Sequence, residues 1–238
     1  MNISRFDLVT GGGLGASVLA LSMAKHGAHV LVLERESQFR DLVRGEALPP
    51  WGVAEAKELD IAAVLLRTCA KEVPWVEMGF GPRNFVETTP QRAPFFTFSH
   101  PEMQEALLAE AAQAGVQVRR GVTVEAIEPD PNNPVVVARD KSAERIAARF
   151  VVAADGRGSG VRKWAGFITQ KNIQPFHFAG VLLTEVSGRD DIVTFLFHPD
   201  LGLVVASAPL PRQRTRAYLG YPTTGGLLVQ GNENMGTL

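Results

Sequence analysis

The sequence predicts a mixed α/β protein in which a helix-covered parallel sheet is followed by an antiparallel sheet. Two apolar runs at residues 6–10 and 30–33 flank a helix-like segment that ends near Gly27, as in a βαβ unit. A continuous apolar run of this kind is typical of a strand buried on both faces of a parallel sheet. After Gly166 the pattern changes to alternating strands without helical periodicity, which we place at residues 176–186, 192–197, 203–207 and 216–221.

A second crossover helix is predicted to begin after Ser99. Ser99 and Glu102 have the spacing of a capping box, and Gly115 follows the apolar helical pattern. The turn between two of the strands that follow is predicted at residues 130–134, a cluster of Asp, Pro and Asn. Together these strands predict a small β-meander inserted into the parallel fold, at residues 116–118, 122–127 and 135–138.

A further strand, buried in the sheet, is predicted at residues 150–154. Asp155 and Gly156 follow directly at its carboxyl end. Open α/β sheets bind their ligands at this edge, so the Asp-Gly pair is a candidate binding element. A plain turn that closes the strand is the alternative, because Asp-Gly is also well suited to it.

The composition argues against several classes of partner. The formal net charge is −1, from 24 Lys and Arg against 25 Asp and Glu, so no basic excess indicates nucleic acid or an anionic membrane. No apolar run reaches the ~20 residues that cross a bilayer. The five histidines lack the spacing of zinc ligands, and we assign no metal. Cys69 is the single cysteine, which excludes an internal disulfide and favours a reducing cytoplasm.

A glycine-rich turn between the first predicted strand and helix reads Gly11-Gly12-Gly13-Leu14-Gly15-Ala16. Gly11 allows the tight bend, Gly13 lets the backbone approach a pyrophosphate, and Ala16 takes the place of the fingerprint's third glycine. The free amides and the positive dipole end of the helix favour phosphate binding. A flexible loop is the alternative, but the flanking strand and helix favour a dinucleotide site.

Glu34 supports a dinucleotide site and narrows the choice of dinucleotide. It lies 21 residues after Gly13, at the end of the second predicted strand, where an acidic side chain accepts hydrogen bonds from ribose hydroxyls. An acidic side chain at this place disfavours a 2′-phosphate. The dinucleotide is therefore predicted to be NAD or FAD rather than NADP.

Several motifs resemble the FAD-dependent monooxygenase family that includes the aromatic-ring hydroxylases, the group A flavoproteins. They are Gly11-Gly12-Gly13-Leu14-Gly15, Leu33-Glu34-Arg35, Arg44-Gly45-Glu46, residues 99–107, and Ala154-Asp155-Gly156-Arg157-Gly158-Ser159-Gly160-Val161-Arg162, the most specific of the five. The resemblance covers about residues 6–222. It implies a Rossmann-like FAD-binding fold with the inserted β-meander, and a partial antiparallel β-sheet substrate domain.

The resemblance also implies a division into domains. The FAD-binding domain is expected at residues 1–73 and 99–166, and the partial substrate-binding sheet at residues 74–98 and 167–224. The aromatic side chains of residues 75–98 are expected to pack between layers or to line a pocket for an apolar substrate. The last residues, 225–238, are rich in Gly and Asn and are expected to form a loose tail.

By this resemblance the cofactor is FAD. Arg44 is expected to reach its pyrophosphate or ribityl chain, and Asp155 to contact the same region from the opposite side. Gln104 is expected to hold the phosphate and ribityl part, and the backbone of Val124 to contact adenine. An exposed helix glutamine and a core-strand valine explain those two positions equally well. The expected cofactor-binding residues are Gly11, Gly12, Gly13, Leu14, Gly15, Ala16, Glu34, Arg35, Arg44, Gln104, Val124 and Asp155.

The family's activity implies the chemistry. NADH or NADPH reduces FAD, and the reduced cofactor and O2 hydroxylate a bound aromatic or other apolar small molecule. The protein orients the cofactor and the substrate and excludes water from them, and it supplies no nucleophile. No catalytic side chain is assigned, and the sequence contains no recognisable triad or ligand cluster.

Two features depart from the family. The first strand, which starts near Asp7, is one residue shorter than usual, and the Gly-Asp dipeptide of the family's second flavin motif occurs nowhere in the sequence. We therefore expect the flavin-covering part to be absent, or to be supplied by a second polypeptide or another copy of the chain. A non-catalytic dinucleotide-binding module and a halogenase or reductase relative are alternatives. A nicotinamide dehydrogenase would not need the Asp155 segment.

Overall fold

The structure is a computed structural model that describes residues 5–42, 44–128, 130, 134–139, 143–170 and 176–223. Its strands are, in order, β1 (Arg5–Thr10), β2 (Val30–Glu34), β3 (Ala47–Leu48), β4 (Ala70–Val73), β5 (Trp75–Glu77), β6 (Pro82–Asn84), β7 (Phe95–Phe98), β8 (Gln117–Arg120), β9 (Thr123–Glu128), β10 (Val135–Arg139), β11 (Ala143–Val151), β12 (Phe176–Thr184), β13 (Ile192–His198), β14 (Leu203–Leu210) and β15 (Arg214–Pro222). Its helices are α1 (Leu14–Lys25), α2 (Pro50–Glu58), α3 (Ala62–Thr68), α4 (Phe85–Thr88), α5 (His100–Gln113) and α6 (Gly160–Trp164). The expected tail at residues 225–238 and the middle of the expected turn, 131–133, lie outside the described residues.

The chain divides into two compact units, each made of two separate stretches. The first comprises Met1–Arg40 and Pro101–Gln170, and the second comprises Asp41–His100 and Lys171–Leu238. Residues 41–73, predicted to belong to the FAD-binding fold, group with the second unit, because β3 and β4 pair with β7 in a three-stranded sheet. The division into functional domains stays a prediction.

The first unit contains a six-stranded sheet with the strand order β8-β2-β1-β11-β10-β9. β8, β2, β1 and β11 are parallel, whereas β10 is antiparallel to both β9 and β11. Val30, Leu31 and Val32 in β2 are fully buried, as expected for a strand covered on both faces. α1 connects β1 to β2 and buries Ala16, Ser17, Ala20 and Leu21. The βαβ unit and the Rossmann-like sheet are confirmed.

The β-meander is made of different strands from those predicted. β8, predicted as its first strand, instead pairs in parallel with β2, with Gln117 opposite Leu31. The reason is that α5 carries the chain back across the sheet, and a helical crossover of this kind returns the chain as a parallel strand. The meander therefore consists of β9, β10 and β11. α5 has 14 residues, and none of the helices in the described ranges is long and apolar enough to cross a membrane.

The strand predicted at residues 150–154 begins earlier and is less buried than predicted. β11 spans Ala143–Val151, because its first half pairs with β10 and its second half continues along β1. Phe150 is 57% exposed. β11 also ends at Val151, with three residues between it and Asp155, whereas the strand was predicted to continue to residue 154. The Val152 amide still donates to the Val9 carbonyl of β1, so the chain follows the sheet a little beyond the strand before it reaches Asp155.

The second unit contains a six-stranded sheet with the order β12-β15-β14-β13-β5-β6. The first four strands in this order, β12, β15, β14 and β13, are each antiparallel to the next, which confirms the predicted antiparallel sheet. β5 joins them in parallel, with Trp75 opposite Ile192. A core cluster packs beneath, made of Val73, Val76, Phe85, Phe95 and Val193.

The aromatic side chains of residues 75–98 mostly serve packing rather than a pocket. Phe85 and Phe95 stack with ring centroids 5.1 Å apart, and Phe96 and Phe98 are buried as well. Phe80 is fully exposed, so it lines no closed pocket within its own unit. The packing interpretation of this stretch is therefore the better one for its buried members.

Candidate dinucleotide-binding site

The glycine turn connects β1 to α1 and leaves the helix without a side-chain cap. Gly13 is the N-cap residue, with φ −69° and ψ 171°, and as a glycine it has no side chain to cap the helix. Buried Ser17 fixes the turn, since its amide donates to the Gly13 carbonyl at 2.8 Å and its Oγ donates to the Gly12 carbonyl at 3.2 Å. The first-turn amides and the positive end of the helix dipole therefore form a site suited to an anion.

The carboxylate of Glu34 lies against this turn. A Cβ placed on Gly12 would be 2.7 Å from Glu34 Oε2 and 2.8 Å from Glu34 Cβ, distances that real Cβ atoms do not show. Glu34 Oε1 accepts a hydrogen bond from the Glu36 amide at 2.8 Å. One oxygen of Glu34 thus shapes its own loop, while the other is directed to the glycine turn.

The backbone that follows β11 also reaches the turn. A Cβ on Gly11 would be 3.3 Å from the Ala154 carbonyl oxygen and 3.6 Å from Asp155 Cα, and a Cβ on Gly13 would be 3.9 Å from the same oxygen. The structure therefore brings together three predicted parts of the site within the first unit: the glycine turn, Glu34, and the backbone before Asp155.

The Asp155 side chain caps helix α6. Its Oδ2 accepts hydrogen bonds from the Gly160 amide at 2.8 Å and the Val161 amide at 3.2 Å. Ser159 Oγ accepts from the Arg162 amide at 3.0 Å, so two side chains hold the same short helix. The alternative interpretation of the Asp-Gly pair as a structural turn thus describes a real role of Asp155, and a contact with a cofactor stays a prediction.

The second unit contains a buried charge cluster that was not predicted from the sequence. Arg216 and Glu46 are almost fully buried, and Arg216 Nε donates to Glu46 Oε2 at 2.6 Å. Arg216 Nη2 donates to Asp41 Oδ1 at 2.6 Å and to Glu46 Oε1 at 3.3 Å. The Tyr218 hydroxyl lies 2.9 Å from both Glu46 Oε2 and the Arg44 carbonyl oxygen. We call Asp41, Glu46, Arg216 and Tyr218 the Glu46 cluster.

Burial fixes the protonation states around the Glu46 cluster. Burial raises the pKa of the Tyr218 hydroxyl, and the Glu46 carboxylate raises it further, so the hydroxyl keeps its proton at neutral pH. Burial is also the main reason that the pKa of His100 is lowered, and the charge of Arg44 adds to it. The neutral His100 ring places Nδ1 3.2 Å from the Gly45 carbonyl oxygen, which requires the proton on Nδ1.

A family model described as an FAD binding domain matches residues 7–225. The chain belongs to this family of FAD binding domains. The match resolves the choice between NAD and FAD that the glycine turn and Glu34 leave open, and the dinucleotide is FAD.

Relatives of this FAD binding domain include flavin-dependent monooxygenases. It is 31% identical to rifampicin monooxygenase of Streptomyces venezuelae over 169 residues, 68% of this chain and 34% of that protein. The chain thus spans about a third of the length of that curated relative. PqsL of P. aeruginosa, solved with 2-aminobenzoylacetate, has a TM-score of 0.77 at 18% identity, over 92% of this chain and 61% of PqsL. Aklavinone-11 hydroxylase, solved with FAD and aklavinone, has a TM-score of 0.75 at 20% identity, over 96% of this chain and 48% of the hydroxylase. At these identities the two structures show a shared fold.

The residues of the FAD binding domain fit the adenosine and phosphate part of FAD. Thr10, the last residue of β1, is buried, and its Oγ1 has no hydrogen-bond partner among the described residues. A buried hydroxyl without a partner is costly, so a ligand acceptor or donor at this place would stabilise it. The uncapped amides of α1 suit the pyrophosphate, and the Glu34 carboxylate suits ribose hydroxyls.

The remaining predicted cofactor-binding residues of the FAD binding domain differ in burial and in the unit to which they belong. Arg35 is exposed and pairs with Glu36 at 3.3 Å, whereas Gln104 is buried in α5, which excludes the exposed-helix interpretation. Val124 is partly buried and packs against the core of the first unit, as the core-strand interpretation expects. Arg44 belongs to the second unit, where its side chain is exposed. The assignment of these four residues to FAD stays a prediction.

Two features of this FAD binding domain could have been found from its sequence. Thr10 is a hydroxyl at the end of an otherwise apolar buried strand, directly before the glycine turn. Arg216 and Tyr218 occupy alternate positions of β15, with Ala217 between them, so both project to one face of the sheet. A charged residue in such a pattern signals a buried partner or a ligand. The sequence gives no indication that the partner is Glu46.

Proposed function

We propose that this chain is the cofactor-binding part of an FAD-dependent monooxygenase that hydroxylates an aromatic or other apolar small molecule, with NADH or NADPH as reductant. The observation that carries the proposal is the convergence of the glycine turn, Glu34 and the Ala154 carbonyl in the first unit. Relatives named as monooxygenases and hydroxylases support the reaction class. When bound, FAD supplies the redox chemistry and the activation of O2.

The chain's own residues are proposed to bind and orient the cofactor. The first-turn amides of α1 bind the pyrophosphate, Glu34 accepts hydrogen bonds from ribose hydroxyls, and Thr10 Oγ1 adds a buried polar contact beside them. Asp155 acts through α6, whose start it caps, and so fixes the backbone that lies next to Gly11. Arg44 pairs with a phosphate oxygen by its guanidinium group.

An aromatic surface on the sheet of the second unit supports an apolar substrate. Phe195 lies opposite Ala206, which lies opposite Tyr218, so the three share one face. Phe178 and Phe197 belong to the neighbouring row of the same face, through Gly220 and Val204. The side chains of Phe178 and Phe197 are 58% and 62% exposed. Exposed aromatic residues clustered on one face are typical of a surface that binds an apolar molecule.

The proposal has three further parts. The reductant is a pyridine nucleotide, without a choice between NADH and NADPH. A second polypeptide or another copy of the chain supplies the flavin-covering part, since the sequence contains no Gly-Asp motif. The protein acts in a reducing cytoplasm, which its single, buried cysteine favours.

Alanine at Gly12 and at Gly13 is expected to give opposite phenotypes. The methyl group of Gly12→Ala meets the Cβ of Glu34, so this variant should lose at least about 1 kcal/mol of unfolding free energy. The methyl group of Gly13→Ala has no neighbour nearer than 3.9 Å, so the stability should persist. The added methyl group of Gly13→Ala blocks the approach of the pyrophosphate, so the FAD affinity of this variant should fall about tenfold or more. Thermal unfolding and FAD titration measure the two effects, and normal FAD affinity in Gly13→Ala would contradict the phosphate assignment.

Turnover by the chain alone tests the proposed reaction. Supplied with FAD, NADH or NADPH and a panel of phenolic and polycyclic compounds, the chain is expected to oxidise nucleotide and to release hydrogen peroxide rather than hydroxylated product. Coupled hydroxylation requires a water-excluding pocket that fixes the substrate, whereas the residues assigned here serve the adenosine and phosphate side of the cofactor. Product and peroxide are measured per nucleotide consumed. Product formed at nearly one per nucleotide would show that this chain covers the flavin ring, and an FAD-loaded chain that consumes no nucleotide would refute the oxidoreductase proposal.

A further inference from the structure

We propose that Tyr218 and Arg216 are positioning residues for the cofactor, because through Glu46 and the Arg44 carbonyl they hold the segment that presents the Arg44 guanidinium. The inference rests on the proposed function, in which Arg44 binds a phosphate of FAD. It concerns residues of the second unit alone. Neither side chain needs to touch FAD in this role.

The carboxylate of Glu46 is fully occupied by hydrogen bonds. Oε2 accepts from Arg216 Nε at 2.6 Å and lies 2.9 Å from the Tyr218 hydroxyl. Oε1 accepts from Arg216 Nη2 at 3.3 Å and from the His100 amide at 3.2 Å. A buried carboxylate with four donors around it has one orientation, so the backbone of Glu46 is held in place.

The carbonyl groups of the three successive residues 44–46 are each bonded as well. The Tyr218 hydroxyl has one proton, which it shares between Glu46 Oε2 and the Arg44 carbonyl, both at 2.9 Å. His100 Nδ1 donates to the Gly45 carbonyl at 3.2 Å, and the Phe98 amide donates to the Glu46 carbonyl at 3.0 Å. The segment is thus fixed at every residue, although it is not part of a helix or strand before β3.

The backbone of Arg44 is held by hydrogen bonds, whereas its side chain is not held in the same way within the described ranges. It is exposed, and no ion pair of its guanidinium occurs within the part of the chain that the structure describes. A cation on a rigid segment, with no ion-pair partner among the described residues, is suited to bind an anion that comes from outside the segment. Because the backbone of Arg44 is already fixed, pairing with phosphate does not have to order the segment as well, and only the side chain loses freedom.

Stability alone is a weak reason to bury these charges. A buried ion pair is often neutral or unfavourable for stability relative to apolar residues of similar volume. What the Glu46 cluster provides instead is a single geometry, since each donor fixes the direction of its acceptor. This is why we assign it to the positioning of Arg44 rather than to stability alone.

A double-mutant cycle on FAD affinity tests the inference. Wild type, Tyr218→Phe, Arg44→Ala and the double variant of the full chain are titrated with FAD, with flavin fluorescence as the readout. Tyr218→Phe removes one hydrogen bond, so affinity should fall about threefold to tenfold. Arg44→Ala should lower it at least as much, and the double variant should match Arg44→Ala within about twofold.

Tyr221→Phe is the matched control. Tyr221 is the other tyrosine of β15; it is buried whereas Tyr218 is half-buried, and it lies three positions away on the opposite face of the sheet. It should leave FAD affinity at the wild-type value even where it lowers the thermal midpoint of the apoprotein. Thermal midpoints of all variants show how much of any affinity change follows from unfolding.

The outcomes separate the inference from the function on which it rests. If Tyr218→Phe lowers affinity by the same factor with and without Arg44, or leaves affinity unchanged, the positioning role is wrong while FAD binding stands. If Arg44→Ala binds FAD as wild type does, Arg44 makes no cofactor contact and the positioning role is wrong with it. If the wild-type chain binds no FAD under these conditions, both the proposed function and the inference are refuted.

Discussion

Replacement of Glu46 by alanine is expected to lower the free energy of unfolding by about 3–5 kcal/mol, the cost of leaving a buried partner charge unpaired. Arg216 would lose both oxygens of its buried partner, and the ion pair left to it among the described residues is with Asp41, which is partly exposed. The Tyr218 hydroxyl and the His100 amide would lose an acceptor in the same change. Urea unfolding followed by tryptophan fluorescence measures the loss.

Two control variants accompany the prediction for Glu46→Ala. Glu128→Ala removes the partner of Arg145 from an ion pair on the surface, and it should change stability little, because water replaces the lost contact. Glu46→Leu combined with Arg216→Met removes both charges and should recover most of the loss. If Glu46→Ala were no more harmful than Glu128→Ala, the cluster would not be a buried ionic network.

Replacement of Glu34 by alanine is expected to weaken FAD binding by about 1.5–3 kcal/mol, the range for a hydrogen bond to a charged group. This corresponds to a loss of affinity of roughly tenfold to a hundredfold. Glu34→Gln keeps an amide oxygen at nearly the same place and should lose only about 1 kcal/mol, because a neutral acceptor is weaker. Isothermal titration of the apoprotein with FAD measures both values.

Glu36→Ala is the matched control for the second prediction. Glu36 is a carboxylate two residues further along the same loop, and its side chain pairs with Arg35 and Arg40 rather than facing the glycine turn. Its replacement should leave FAD affinity unchanged. Thermal unfolding of the apoproteins corrects for the hydrogen bond that Glu34 makes to the Glu36 amide. Wild-type affinity in Glu34→Ala would show that another residue binds the ribose.

The first unit shows which features a sequence can predict. The glycine turn and Glu34 are close in the chain and lie at the carboxyl ends of two mostly apolar strands, so spacing alone places them at one edge of a parallel sheet. β8 was assigned to the wrong partner because a short strand of mixed polarity has no periodicity that distinguishes a parallel partner from an antiparallel one. Phe150 was predicted to be buried because hydrophobicity reports a tendency of the side chain, not which neighbours exist to cover it.

The Glu46 cluster shows what local patterns cannot predict. Glu46 and Arg216 are 170 positions apart, and neither lies in a motif that specifies its partner. Glu46 belongs to a segment that resembles a flavoprotein motif, yet the resemblance indicates Arg44 and not the carboxylate beside it. The pairing arises only when β15 takes its place in the sheet, so it depends on tertiary structure that no short window of sequence contains.

The separation of Glu46 from Arg216 also has a consequence for the time course of folding. The carboxylate is synthesised long before its guanidinium partner, and at about 5–20 residues per second the delay is about 10–30 s. The stretch before His100 must wait, with an unpaired acid that opposes early burial, until β15 has emerged. Contacts of such long sequence separation form slowly, because loop closure precedes the gain from pairing. The second unit is therefore the part whose completion is expected to limit the rate at which the nascent chain becomes competent to bind FAD.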